Sequence, residues 1–144
     1  MKVEIVSTAD VEPVGIDELK QFLKVTGSAH DAVLNALNES ARKYLEKSTD
    51  LSFMTKSLKV TVDRELEEWE LPYGPVNEIT NSEEPNDDDE YVYEYDAGYE
   101  DLPYDLKIAI KITVKYWYDM DDVSDSLPMA ARKIVELNQR NPML

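Results

Sequence analysis

The chain has 144 residues and is 42% hydrophobic, enough for one domain with a real core; its apolar residues come in periodic blocks, which argues against wholesale disorder despite 32% charged residues. A formal net charge of -16 argues against wrapping nucleic acid, and fits a protein that repels DNA, mimics it or meets a basic partner, or one whose charge serves solubility alone. No cysteine means no disulfide or thiolate chemistry, and the opening MKVEIVSTADVEPVG has no apolar run of signal-peptide or membrane-span length, so a soluble protein made in a cytoplasm is expected.

Residues 1–14 begin with a short alternation, KVEIV, then loosen toward Pro13. They are expected to form an arm or extended segment, with an edge strand as the alternative. Residues 15–50 hold two helices. Ile16, Leu19, Phe22 and Leu23 lie at helical spacing with Gly27 as a stop, and Ser28 with Asp31 resembles a capping box opening a second helix. The second helix has Val33, Leu34, Leu37, Ala41, Tyr44 and Leu45 on its inner face, and Glu39 and Lys43 stand four apart in the favourable order.

Residues 56–99 read as β. SLKVTVDRE alternates Leu58, Val60 and Val62 against polar residues; a second short strand is expected in EWELPYGPVNEI, where two prolines flank Gly74 and force a bend. A third strand is EYVYEYDAGY, with Tyr91, Tyr93 and Tyr95 on one face. Between them, residues 82–90 include SEEPNDDDE, six acids in nine residues, expected to be a solvated loop.

DLPYDLKIAIKITVKYWYD can be read by twos as a strand or by 3.6 as a helix. Pro103 suits a first turn, Asp101 can cap, and thirteen residues from Leu106 to Tyr118 are long for a strand. A long buried helix over 102–120 is therefore expected, with Leu106, Ala109, Ile110, Thr113, Val114 and Trp117 inward and Lys107, Lys111 and Lys115 in a stripe roughly 80° wide. Burial, at roughly 1.5–3 kcal/mol per apolar side chain, outweighs the few tenths lost to β-branching. Pro128 opens a last helix over 127–140, with Ala131, Ile134, Val135 and Leu137 as inner positions and a tail at 141–144; Arg132, Lys133 and Arg140 against Glu136 make this the one net basic stretch. The fold class expected is mainly α (α+β): a bundle of about four helices with a small antiparallel β insertion between the second and third long helices, in a single domain.

A chemical site is hard to find. His30 is the only histidine, in a turn, and suits an exposed polar role better than that of a base. One histidine and no cysteine leave no zinc set, and the acidic runs lack the spacing and glycine of a calcium loop. No glycine lies in a phosphate-cradling loop and nothing singles out a carboxylate pair. No enzyme activity, catalytic residue, metal or cofactor is expected. The lysine stripe suits a solvated face or an acidic neighbour, or could face nucleic acid; the tyrosine row suits packing better than base stacking, because Glu90, Glu94 and Asp96 alternate with it. The basic C-terminus suits a frayed tail or a docking peptide equally.

Five segments in order, GIDELKQFLKV, ARKYLEKST, LPYGPVNEI, YDAGYEDLPYDLKIAIKITVKYWYD and LPMAARKIVELNQR, resemble the head–tail connector (adaptor, or head-completion) proteins of tailed bacteriophages over roughly residues 14–140. Lys24 stands where the family pattern has an arginine, and the acidic loop looks like a local elaboration. The resemblance implies a structural virion protein: a ring, typically dodecameric, that sits beneath the portal, continues the DNA channel without holding DNA tightly, helps retain the genome and gives the tail or a second adaptor a landing surface. It implies a place in the virion neck, with assembly in the host cytoplasm and no membrane partner. It makes Asn138, Gln139, Arg140, Asn141, Pro142, Met143 and Leu144 the candidates for portal binding. Tyr73, Gly74 and Pro75, with Lys107, Lys111 and Lys115, become candidates for contacts with neighbouring subunits or the next ring. An acidic DNA mimic that inhibits a basic host enzyme is the alternative, and an interaction module without a phage context is a second.

Overall fold

The computed structural model describes residues 1–83, 85, 88–120 and 127–140. In chain order they form β1 (Lys2–Thr8), α1 (Ile16–Leu23), α2 (Asp31–Thr49), β2 (Lys56–Val62), a 3-10 turn (Glu68–Glu70), β3 (Val76–Glu83), β4 (Tyr91–Ala97), α3 (Tyr104–Met120) and α4 (Met129–Asn138). Contacts divide the chain into two compact units, Met1–Asp10 with Asp50–Asp101 and Val11–Thr49 with Leu102–Leu144.

The sheet unit corrects the expectation of a helical bundle with a small β insertion. Its four strands form one antiparallel sheet in the order β1-β2-β4-β3, so the fold is α+β with a sheet that draws on both ends of the unit. Residues 2–8 are an edge strand, paired from Lys2↔Thr61 to Thr8↔Lys56. Their partner lies some fifty residues downstream, which no local alternation can reveal. The second strand was expected before the bend; Glu68–Glu70 is instead a 3-10 turn closed by a reciprocal Glu67–Glu70 capping box, and the strand follows the bend. β3 runs on through Ser82 and Glu83, into the stretch read as an acidic loop.

One face of the sheet is apolar. Leu58, Val60 and Val62 of β2 alternate inward with Tyr93, Tyr95 and Ala97 of β4, and Leu66 and Leu71 complete the cluster, with Val3, Tyr73, Val76 and Tyr91 packed against it. The Tyr93 hydroxyl accepts the Leu66 N–H at 2.9 Å, and the Tyr95 hydroxyl donates to the Pro72 carbonyl. Tyr93 and Tyr95 are therefore core packing whose polar tips are satisfied, with Tyr91 partly buried against them.

In the helical unit, the segment that could be read as strand or helix is helix from Tyr104 onward. Leu106 and Lys107 donate to the Pro103 carbonyl, so the proline occupies the place where a missing N–H costs nothing. Leu106, Ala109, Ile110, Thr113, Val114 and Trp117 are all buried, and Lys111 with them. α2 buries Leu34, Ala41 and Leu45, but Val33 is half exposed; α4 buries Ala131 and Val135, whereas Leu137, expected inside, is 85% exposed. Tyr44 meets Trp117 edge to face at 5.9 Å. α1 ends at Lys24, which takes the left-handed conformation (φ 59°) while Val25 donates to the Lys20 carbonyl. No helix among the described residues is long and apolar enough to cross a membrane.

Candidate interaction surfaces

The bend at Tyr73, Gly74 and Pro75 is held by its own unit. Asp50, in the left-handed region at φ 58°, receives the Tyr73 N–H on its carboxylate at 2.8 Å and the Gly74 N–H on its carbonyl at 3.1 Å. Ser52 donates its N–H to the Gly74 carbonyl at 2.6 Å and its hydroxyl to the Tyr73 carbonyl at 2.7 Å. Gly98 donates to the Pro75 carbonyl at 3.0 Å. Gly98 itself (φ 102°) leaves no room for a side chain, since a Cβ would lie 2.1 Å from the Met54 carbonyl oxygen. Gly74 is buried, Tyr73 itself has φ 56° and packs in part against the apolar cluster, and Tyr73 and Pro75 keep only partial exposure.

The lysine stripe is not one surface. Lys111 is buried, pairs with Glu18 of α1 at 2.7 Å and lies 5.9 Å from the Tyr104 ring centre. Lys115 is exposed and bonds Asp119 one turn on at 3.1 Å, and Lys107 is half-buried. For Lys111 the acidic neighbour is the reading the geometry supports.

Three of the seven C-terminal candidates lie within the described residues, and they are tied to the helical unit. The Asn138 amide donates to Asp105 at 2.8 Å, the Gln139 amide to the Ser48 carbonyl at 3.2 Å, and the Arg140 N–H to the Thr49 carbonyl at 3.0 Å. The last two satisfy carbonyls at the C-terminus of α2. Asn141, Pro142, Met143 and Leu144 lie outside the described residues. On α4, Met129 and Leu137 stand out to solvent beside Arg132 and Lys133.

Sequence reasoning missed a polar line inside the helical unit. Asn38, Arg42 and Glu46 recur every four residues on α2 and are all buried. Asn38 donates to the Val14 carbonyl at 2.9 Å. The Arg42 guanidinium bonds Glu12 through Nε at 2.8 Å and Nη2 at 3.1 Å, and Glu46 through Nη1 at 2.7 Å. Burial opposes the charge on Arg42, but the bonds to both carboxylates outweigh it and raise its pKa further. The signal available was the four-residue spacing of three polar residues on a face next to Ala41 and Leu45. The pair that was read, Glu39 with Lys43, forms at 2.9 Å on the exposed side, where Lys43 holds the Glu39 carboxyl below its usual range.

His30 is exposed and sets its ring edge to face with Tyr118 at 5.9 Å. No group of three potential metal-binding side chains converges among the described residues. The sheet unit has open depressions lined by Ser7, Lys56, Asn77 and Glu100 in one place and Lys2, Lys59 and Glu83 in another.

Residues 14–127 match the family described as phage gp6-like head-tail connector protein. Among solved structures, a chain from the neck of an empty GTA particle computed with C6 symmetry matches at TM-score 0.74 and 16% identity, covering 96% of this chain and 95% of its own. A chain from the virion of the native gene transfer agent (GTA) particle matches at 0.73 and 16%, and one from the native neck computed with C12 symmetry at 0.74 and 15%, with the same coverage. At that identity the likeness is one of fold. Among curated proteins nothing matches.

Proposed function

The chain belongs to the phage gp6-like head-tail connector family, and from that premise we propose that it forms a ring beneath the portal that continues the DNA channel toward the tail and helps retain the packaged genome. The family is a structural one of the phage head–tail interface, not a class of enzymes. The single observation that carries the reading is the family match over residues 14–127. The neck particles whose chains share this fold were computed with C6 and C12 symmetry, which supports a ring of twelve copies here.

The physical properties fit. A ring needs two different complementary surfaces on each subunit. A net charge of -16 keeps passing DNA from binding tightly, because phosphate binding requires clustered lysine and arginine. The portal would be met by the stretch 138–144, and the tail or a second adaptor by the opposite side of the ring. Because Asn138, Gln139 and Arg140 also brace α2 and α3, portal contact is best assigned to the residues beyond them. Tyr73 and Pro75, with Lys115 as the exposed member of its stripe, are the side chains offered to neighbouring copies.

The test is native mass spectrometry with negative-stain imaging of the purified protein, alone and mixed with the portal protein encoded in the same genome. A ring stacked on the portal is expected. A monomer in both samples, at high protein concentration and low salt, would overturn the reading in favour of an acidic inhibitor. Truncation after Arg140 should abolish portal binding while leaving the thermal melt unchanged.

A further inference from the structure

The sheet's registers place Ile5 opposite Leu58, Leu58 opposite Tyr95, and Tyr95 opposite Ile79. Directly opposed residues of antiparallel strands share a face. These four side chains are therefore one row across the sheet, on its apolar side. The two in the middle are sealed, Leu58 at 2% and Tyr95 at 0% exposure. The two at the ends are not: Ile5 is 60% and Ile79 40% exposed. The apolar row runs off the sheet at both edges, through β1 and through β3, and neither outer edge has a strand partner among the described residues.

We propose that these two edges join in the ring, β3 of one copy pairing with β1 of the next, so that Ile79 meets the neighbour's Ile5 and the row continues from subunit to subunit. Strand polarity supports this occupant. Three antiparallel steps separate β1 from β3, so the two run in opposite directions. A neighbour placed by rotation about a ring axis presents its β1 antiparallel to this β3, with the apolar faces on the same side. Both edges carry irregularities beside the row, after Ile5 on β1 and on either side of Glu78–Ile79 on β3. Such bulges confine pairing to a short stretch and discourage open-ended edge aggregation. A contact of a few residues falls well short of the roughly 1,600 Å² of a stable complex, so it closes only where copies are held side by side on a template.

The inference rests on the ring proposed above, and cysteine cross-linking separates the two. The chain has no native cysteine, so Ile5→Cys and Ile79→Cys introduce single addressable thiols at exposed positions. On the portal under mild oxidation, the double variant should give a covalent ladder, while a mixture of the two single variants should give one covalent dimer that neither forms alone. Ile5→Glu and Ile79→Glu should each abolish ring assembly, with the circular dichroism spectrum and melting temperature kept as in the unmodified protein. A ring that assembles without cross-links, or with either glutamate variant, overturns the edge pairing and leaves the ring standing. Covalent dimers from one single variant alone would mean two-fold edge pairing and also overturn it. If the unmodified protein forms no ring on the portal, both readings fall.

Discussion

The helical unit and the sheet unit close themselves with different chemistry. In the helical unit distant segments are fastened through buried cations: Glu12 holds Arg42, which Glu46 also pairs with from the next turn of α2, and Glu18 holds Lys111. In the sheet unit the fastening is to the backbone of the bend at 72–75, which Asp50 and Ser52 clasp with main chain and side chain and Gly98 with main chain alone, over an apolar cluster. Of the charged residues buried among the described residues, Arg42, Glu46 and Lys111 belong to the helical unit and Lys56 to the sheet unit. A helix surface can bring a long side chain to a remote carboxylate at little backbone cost. A sheet edge that turns sharply must instead satisfy its own N–H and C=O groups in place.

The largest effect should come from the sheet unit's clasp. Gly98→Ala forces a Cβ to within 2.1 Å of the Met54 carbonyl at a φ of 102°, so backbone must move. We expect a loss at the upper end of single-substitution effects, about 4 kcal/mol, read as a fall in urea midpoint. Arg42→Ala should follow at about 3 kcal/mol, because it strands Glu46 in the interior beside a half-buried Glu12. Replacing the pair together, Arg42→Met with Glu46→Leu, should cost much less than the single change. If the double variant is as unstable as Arg42→Ala, the buried charge is not what makes the helical unit different.

The two units also differ in how much of them the sequence discloses. α3 was legible because its signals agree: thirteen residues too long for one strand, a proline at the first turn, and six inward positions at helical spacing, all of them buried. The β2 and β4 strands were legible from alternation over seven residues each. β1 was not, because its exposed outer side and short alternation resemble an arm until β2 pairs with it. β3 was misplaced because NEITNSE is a polar edge strand with two irregularities, whereas EWEL before it has the better strand composition and folds into a capped turn. Leu137 and Val33 missed the interior because an apolar stripe one residue too wide cannot tell which flank the neighbour covers. Among candidate site residues, the pairing of Lys111 with Glu18 needs two elements ninety residues apart, and the same is true of Asn138 with Asp105 at a third of that separation. Only contacts within one turn, such as Glu39 with Lys43, could be read directly.

A milder change sharpens the clasp itself. Asp50→Ala removes the carboxylate that receives the Tyr73 N–H while leaving the Gly74 bond to the backbone carbonyl. It also places alanine at φ 58°, where aspartate is better tolerated. A loss of about 2 kcal/mol is expected. Asp50→Gly should recover part of it, since glycine relieves the backbone while the side-chain bond stays lost. Equal losses for the two variants would assign the whole effect to the side chain.

The smallest effect concerns surface charge, where the two units should behave alike. The Arg64 guanidinium, 3.0 Å away, and then the Glu67 N–H hold the Glu70 carboxyl below the usual carboxylate range. A carboxyl whose folded pKa is depressed contributes stability above its unfolded pKa, near 4.5, and loses it as pH falls through the lower folded value. The unmodified protein and Glu70→Gln should therefore differ slightly at pH 7 and converge toward pH 3. Glu39→Gln in the helical unit should show the same sign for the same reason, since Lys43 depresses the Glu39 carboxyl. Both differences should shrink in 1 M salt, where screening reaches about 3 Å. The difference for Arg42→Ala should persist there, because its partners are largely shielded from solvent. A salt response at Arg42 as large as at Glu70 would show that the helical unit's interior charges are wet, and the contrast between the units would then reduce to backbone geometry.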